Sequence, residues 1–141
     1  MKTEFENGHD SLTDRTRRNL KDLSKSLLRL HKTLLEDAKA EYETINGAIT
    51  SPNQYLQLVL NDIHFAWLRK ISSLVALIDE AASVRRPASE PEAKALLDEV
   101  RDLLNFQDTD ENFNDKFQAA LQKSSDAVIV HNDALGFFTE V

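Results

Sequence analysis

The sequence predicts an all-α fold, an up-down four-helix bundle whose helices are mainly antiparallel. Apolar residues recur at spacings of three and four, which is the period of an amphipathic helix. The clearest run is Leu20, Leu23, Leu27, Leu30 and Leu34. Only three glycines and three prolines interrupt the 141 residues, so few positions force a break. The length suits one domain, with residues 1–12 predicted as a disordered N-terminal segment and residues 13–141 as the bundle.

The first helix is predicted from about Thr13 to Ile45, because Asn46-Gly47 then supplies a left-handed stop. Its leucines form an apolar face, and basic residues occupy the opposite side: Arg18, Lys21, Lys25, Arg29 and Lys32. We expect this basic stripe to be a solvated outer face that does not bind nucleic acid. The chain has a net charge of −7, and no aromatic residues for base stacking are interleaved with the stripe.

The second helix is predicted from Pro52 to about Ala82, because Ser51-Pro52 combines an N-cap with a proline at the first helical position. It is the most apolar segment of the chain. Its polar side is a narrow stripe of Asp62, Arg69, Ser73 and Glu80. A helix that is apolar over most of its circumference lies at the centre of a fold or is half covered by another subunit. We therefore expect a homodimer.

Two further helices complete the predicted bundle. After a linker over residues 84–88, the third begins at Ser89 or Glu90, with Pro91 close behind, and ends near Phe106. The fourth begins at residues 109–110 and reaches about Phe138. Its continuity through residues 124–126 stays open, because the sequence there is Ser-Ser-Asp and these residues favour caps over helix interiors.

The composition excludes several classes of function. The chain has no cysteine, so it cannot form disulfides, cysteine zinc sites or a cysteine nucleophile. It has no glycine-rich phosphate loop, and no Ser/His/Asp spacing indicates nucleophilic catalysis. We predict no enzymatic activity and no cofactor. No stretch approaches the ~18 apolar residues of a membrane span, and the polar start lacks a secretory signal, so we expect no membrane partner and a cytoplasmic location.

Three histidines lie on predicted apolar faces and are candidate site residues: His31, His64 and His131. None of them is preceded by Glu at the Glu-x-x-His spacing of iron-binding bundles, so we predict no metal site. If a tight turn joins the first two helices, His31 lies opposite about Trp67 and within reach of His64. The alternative interpretation, which we prefer, is core or helix-end histidines that bond to a backbone or carboxylate partner.

The second group of candidates lies on the second helix and comprises Asp62, Trp67, Arg69, Lys70 and Asp79. Asp62 and Arg69 share a face but stand two turns apart, so they need partners elsewhere. Lys70 and Asp79 fall on mostly apolar surface, where a charge should be paired. The group indicates either a polar pocket or a subunit interface anchored by Trp67 and Arg69. A structural network of ion pairs explains the same residues and is the preferred interpretation.

The run Phe65-Ala66-Trp67-Leu68-Arg69, continued by Ile78-Asp79-Glu80, resembles the core segment of a family of small bacterial helical proteins of unknown function. The stretch from Asp126 to His131 resembles the C-terminal segment of that family. The resemblance covers about a third of the chain and departs from the pattern at Lys70 and Ser125, where the family has proline. It implies a bacterial origin, a second helix that continues past Lys70, and no known activity.

Together these observations predict a non-enzymatic helical bundle that acts through oligomerisation or through binding of a protein partner by the second helix. The alternative is a small-molecule or metal-binding bundle with an internal polar site. That site would use His31, His64, Asp62 and Asp79.

Overall fold

A computed structural model describes residues 12–139 of the chain. Within this range the protein has seven helices and no strand: α1 (Asp14–Asn46), α2 (Pro52–Asn61), α3 (Ile63–Ala66), α4 (Arg69–Ala81), α5 (Glu90–Leu104), α6 (Glu111–Lys123) and α7 (Ser125–Thr139). The all-α prediction is confirmed, whereas four continuous helices are not. Residues 1–11 of the predicted N-terminal segment lie outside the described residues, and Leu12, the first described, is buried.

α1 follows the sequence prediction closely. The Thr13 hydroxyl accepts a hydrogen bond from the Thr16 backbone N–H at 3.0 Å and caps the start of the helix. Gly47 follows the last residue with φ of 90°, a backbone conformation that a residue with a β-carbon adopts only at a cost. The leucine face of α1 is fully buried and forms one wall of the core.

The predicted second helix is in fact three helices, α2, α3 and α4. Asp62 separates the first two with an extended backbone (φ −89°, ψ 138°), and its carboxylate accepts the His64 backbone N–H at 2.8 Å. The Arg69 guanidinium donates to the Leu60 carbonyl at 2.7 Å, which satisfies an acceptor left free at the end of α2. A turn through residues 67–68 then leads into α4. The prediction of one continuous helix from Pro52 to about Ala82 is therefore wrong, although the chain does continue as a helix past Lys70, within α4.

α1 packs antiparallel to the α3–α4 arm. Three hydrogen bonds across this pair fix the register: His64 Nε2 with the Ala38 carbonyl at 2.9 Å, Ser24 Oγ to Asp79 at 2.6 Å, and Arg17 Nε to the Ala82 carbonyl at 3.1 Å. In this register His31 is level with about Ile71 rather than with Trp67. The difference arises because the connection after α1 and the break at Asp62 lengthen the path from one helix to the other.

α5 begins beside the start of α1. Ser89 and Glu92 form a capping box at its first turn, and the Glu90 carboxylate accepts the Thr13 backbone N–H at 2.9 Å. At its other end the Gln107 N–H bonds to the Asp102 carbonyl at 2.8 Å, with Phe106 between them at a φ of 61°. This is the Schellman arrangement, with phenylalanine where glycine is usual.

The predicted fourth helix divides into α6 and α7 at Ser124, which is extended (φ −134°, ψ 112°) and caps α7 by accepting the Ala127 N–H at 3.1 Å. The break that the sequence left open is thus present. The end of α6 reaches the C-terminal half of α1, where Lys123 pairs with Glu41 at 2.8 Å. α7 turns back antiparallel to α6 and packs along α1.

The core lies among α1, α3, α4, α5, α6 and α7, and its largest fully buried side chains include Phe65, Phe113 and Phe117. α2 is the exception, because none of its ten residues is buried. No helix between residues 12 and 139 is both long enough and apolar enough to span a bilayer.

Candidate functional site

Four of the predicted site residues, which lie between the end of α2 and the end of α4, have structural roles. Asp62 and Arg69 hold the two sides of the helix break and do not contact a common partner. Asp79 accepts a hydrogen bond from the buried hydroxyl of Ser24, which ties α4 to α1. Lys70 forms a salt bridge to Asp108 at 3.0 Å. The interpretation of these charges as a structural network therefore accounts for their contacts.

The Lys70–Asp108 pair explains why a lysine lies on an apolar surface. The Asp108 side chain is only 7% exposed and also accepts the Asp110 N–H at 2.9 Å. Asn114 bonds to both backbone groups of Asp108, so the loop between α5 and α6 is held from two directions. Lys70 supplies the positive charge that makes burial of this carboxylate tolerable.

His131 is buried in the core. Its Nε2 lies 2.8 Å from the Leu104 carbonyl, which is one of the free acceptors at the end of α5. Its ring packs against Phe106 and Phe117, with centroids 5.5 and 5.2 Å away. The expected role as a helix-end histidine agrees with these contacts.

His31 and His64 do not meet as the predicted register required. His64 bonds to the Ala38 carbonyl, which lies seven residues beyond His31, or about 10 Å along the axis of α1. Burial lowers the pKa of His31. Among residues 12–139 no group of three histidine or carboxylate side chains is arranged to hold a metal ion.

A cleft of about 670 Å³ opens where α1, the α3–α4 turn, α6 and the start of α7 come together. The side chains along it are Leu34, Asp37, Ala38, Ala40, Glu41, Thr44, His64, Trp67, Lys116, Ala119, Ala120, Lys123, Ser124, Ser125 and Asp126. Of the predicted site residues it brings together His64 and Trp67. His31, Asp62, Arg69, Lys70, Asp79 and His131 do not line it.

The charged groups of the cleft are not equally satisfied. Glu41 is paired with Lys123 at 2.8 Å and lies 3.8 Å from His64 Nε2. By contrast, Oδ2 of Asp37 is buried and has no hydrogen-bond partner. An unsatisfied buried acceptor costs about 1–3 kcal/mol, more when it is charged. The cleft therefore has one acidic group for which the described part of the chain supplies no donor.

Sequence reasoning missed Asp37, although a signal was present. Asp37 follows Leu30 by seven residues, and Leu30 follows Leu23 by seven. Seven residues are close to two full turns of helix, so the carboxylate falls on the leucine face of α1. A charged residue on that face was as unusual as Lys70 on the second helix.

A second surface stands apart from the cleft. Leu56 and Leu60 lie one turn apart on α2, and their side chains are 52% and 50% exposed. We call these two residues the α2 strip. Ile63, which begins α3 after the break at Asp62, is 81% exposed. No charged residue occurs from Asn46 to Asn61, although 29% of the chain is charged.

Comparison with models of protein families, with curated proteins and with solved structures gives no match. The resemblance of the Phe65–Arg69 segment to bacterial helical proteins stays a prediction.

Proposed function

We propose that this protein is a non-catalytic helical protein that acts by self-association through α2. The observation that carries the proposal is the combination of a helix that has no fully buried residue with an exposed aliphatic strip. A contiguous apolar patch on one side of a helix is typical of a surface that another protein covers.

The length of α2 supports this interpretation. A helix of ten residues is only marginally stable in water, and helices in proteins owe most of their stability to packing. Tyr55, Leu58 and Val59 pack partly against the core, which leaves the α2 strip facing away from it. A partner that covers the strip would supply the missing burial.

The absence of charged residues from α2 itself favours a second copy of the chain as the partner. In a two-fold symmetric dimer each residue near the axis meets its own counterpart, so a charged residue there would face a like charge. The uncharged stretch from Asn46 to Asn61 avoids that repulsion. Interface centres are in general depleted of charged residues.

The small size of the α2 strip indicates how strongly the two copies should associate. A ten-residue helix is about 15 Å long, whereas standard interfaces bury about 800 Å² on each partner. We therefore propose a dimer that dissociates on dilution. The predicted interface anchors Trp67 and Arg69 are not needed for it, because Trp67 packs on Phe113 and Arg69 bonds to Leu60.

Sedimentation velocity over a concentration series tests this proposal. The weight-average mass of the wild type should rise with concentration from 16.0 kDa towards twice that value. Leu60→Glu should hold the mass at the monomer value, because it places a charge against its own counterpart. Leu77→Glu is the matched control, since Leu77 is 47% exposed but lies on α4; it should associate like the wild type.

Two results would contradict the proposal. One is a wild-type mass that stays at 16.0 kDa at every concentration. The other is equal dissociation in Leu60→Glu and Leu77→Glu, which would place the contact elsewhere or show a general effect of added charge.

A further inference from the structure

The cleft has the size and lining of a small-molecule site. Its volume of about 670 Å³ falls within the range of about 300–1,000 Å³ that is usual for such sites. Leu34, Ala38, Ala119 and Ala120 give it apolar surface, and Trp67 adds an aromatic ring. Sites of this kind bind the body of a ligand by apolar contact and orient it with a few polar groups.

Asp37 indicates which polar group a ligand in the cleft should carry. Its Oδ2 is buried without a partner, while the neighbouring Glu41 already has Lys123. Asp37 itself lines the cleft, so a donor placed in the cleft can reach its carboxylate group. A positively charged donor would form the stronger, charge-assisted bond.

The surroundings favour an organic cation over a metal ion. A metal ion would need several carboxylate or histidine ligands, and residues 12–139 contain no such group of three. A protonated amine needs only one carboxylate and gains from an aromatic face nearby. Trp67 lines the same cleft as Asp37.

The lysines of the cleft do not reverse this preference. Lys123 is engaged by Glu41, and the carboxylates of Asp37, Glu41 and Asp126 outnumber the ammonium groups of Lys116 and Lys123. The formal charge of the lining is therefore negative when His64 is neutral.

We propose that the cleft binds a small organic amine in its protonated form, carried on an apolar body. The ammonium group bonds to Asp37, and the body lies against the alanines and Trp67. The α2 strip does not line the cleft, so this site does not depend on the proposed self-association.

Fluorescence titration tests the site directly, because Trp67 is the one tryptophan of the chain and lines the cleft. The probes are cyclohexylmethylamine and its neutral counterpart cyclohexylmethanol, neither of which absorbs where tryptophan does. We expect a saturable change with the amine, and an affinity for the alcohol about ten- to a hundredfold lower, as the loss of one charge-assisted hydrogen bond implies.

Two substitutions distinguish binding of the amine at Asp37 from a general effect of the protein's charge. Asp37→Asn should lower the affinity for the amine about ten- to a hundredfold and remove the preference for amine over alcohol. Asp115→Asn removes the same charge from α6 at an exposed residue outside the cleft, and it should bind the amine like the wild type. Circular dichroism should show equal helix content in all three proteins.

The proposal is overturned if the wild type shows no saturable change with the amine, or binds amine and alcohol equally. It is also overturned if Asp37→Asn keeps the preference for the amine. Repeating the titration with Leu60→Glu tests the two proposals separately. If the monomeric variant still binds the amine, the cleft functions as a binding site whether or not the wild type forms a dimer.

Discussion

α2 and α4 come from one apolar stretch of sequence, yet they end in opposite environments. α4 buries five side chains, Ile71, Leu74, Val75, Ile78 and Ala81, whereas α2 buries none. α4 lies between α1 and α5, and α2 lies beyond the break at Asp62. An apolar sequence therefore does not by itself determine whether its own chain buries it.

The largest expected effect on stability distinguishes α4 from α2. Ile78→Ala should lower the free energy of unfolding by about 3 kcal/mol, because it opens a cavity beside fully buried neighbours. Leu60→Ala should lower it by less than about 1 kcal/mol in the dissociated monomer, because half of that side chain is already in water. Urea unfolding at low protein concentration measures both. Equal losses would mean that α2 is part of the core.

A smaller effect is expected at the break itself. Asp62→Ala removes the carboxylate that caps α3 and should lower the free energy of unfolding by about 1 kcal/mol. Asn61→Ala is the control, since Asn61 is exposed and its side chain bonds only to Gln57; its effect should stay within about 0.5 kcal/mol. If the two variants unfold at the same urea concentration, the Asp62 cap does not stabilise the backbone at the helix break.

The smallest effect concerns His31, which lies level with the start of α4. Burial lowers its folded pKa below the unfolded value of about 6.5. The unfolded state therefore binds the proton first, and stability should fall as the pH drops below about 6.5. Thermal unfolding between about pH 7.5 and 5.5 should show a shallower decline in His31→Gln than in the wild type. Parallel declines would assign the pH dependence to other groups.

Helix starts were predictable because their causes are local. Thr13, Ser51 and Ser89 each place a hydroxyl against a backbone N–H of the first turn, and proline follows the last two within two residues. Such contacts depend only on neighbouring residues, so the sequence contains the whole explanation.

The break at Asp62 was not predictable in the same way. Besides the local cap by Asp62, it is held by contacts between residues that are not neighbours in sequence, since Arg69 reaches back to Leu60 and His64 bonds to Ala38 on another helix. The error then carried over to the site, because a register that assumed an unbroken second helix brought His64 to His31. The structure instead groups His64 and Trp67 with Asp37, a residue that the leucine spacing of α1 placed on the apolar face.

Phe106 links the end of α5 to the rest of the molecule. Its left-handed backbone costs about 1–2 kcal/mol in a residue with a β-carbon, and its ring contacts Phe117 of α6 and His131 of α7. Those contacts exist only after the α6–α7 hairpin has docked. The turn that ends α5 therefore gains these stabilising contacts only in the assembled fold, which couples its conformation to the docking of α6 and α7.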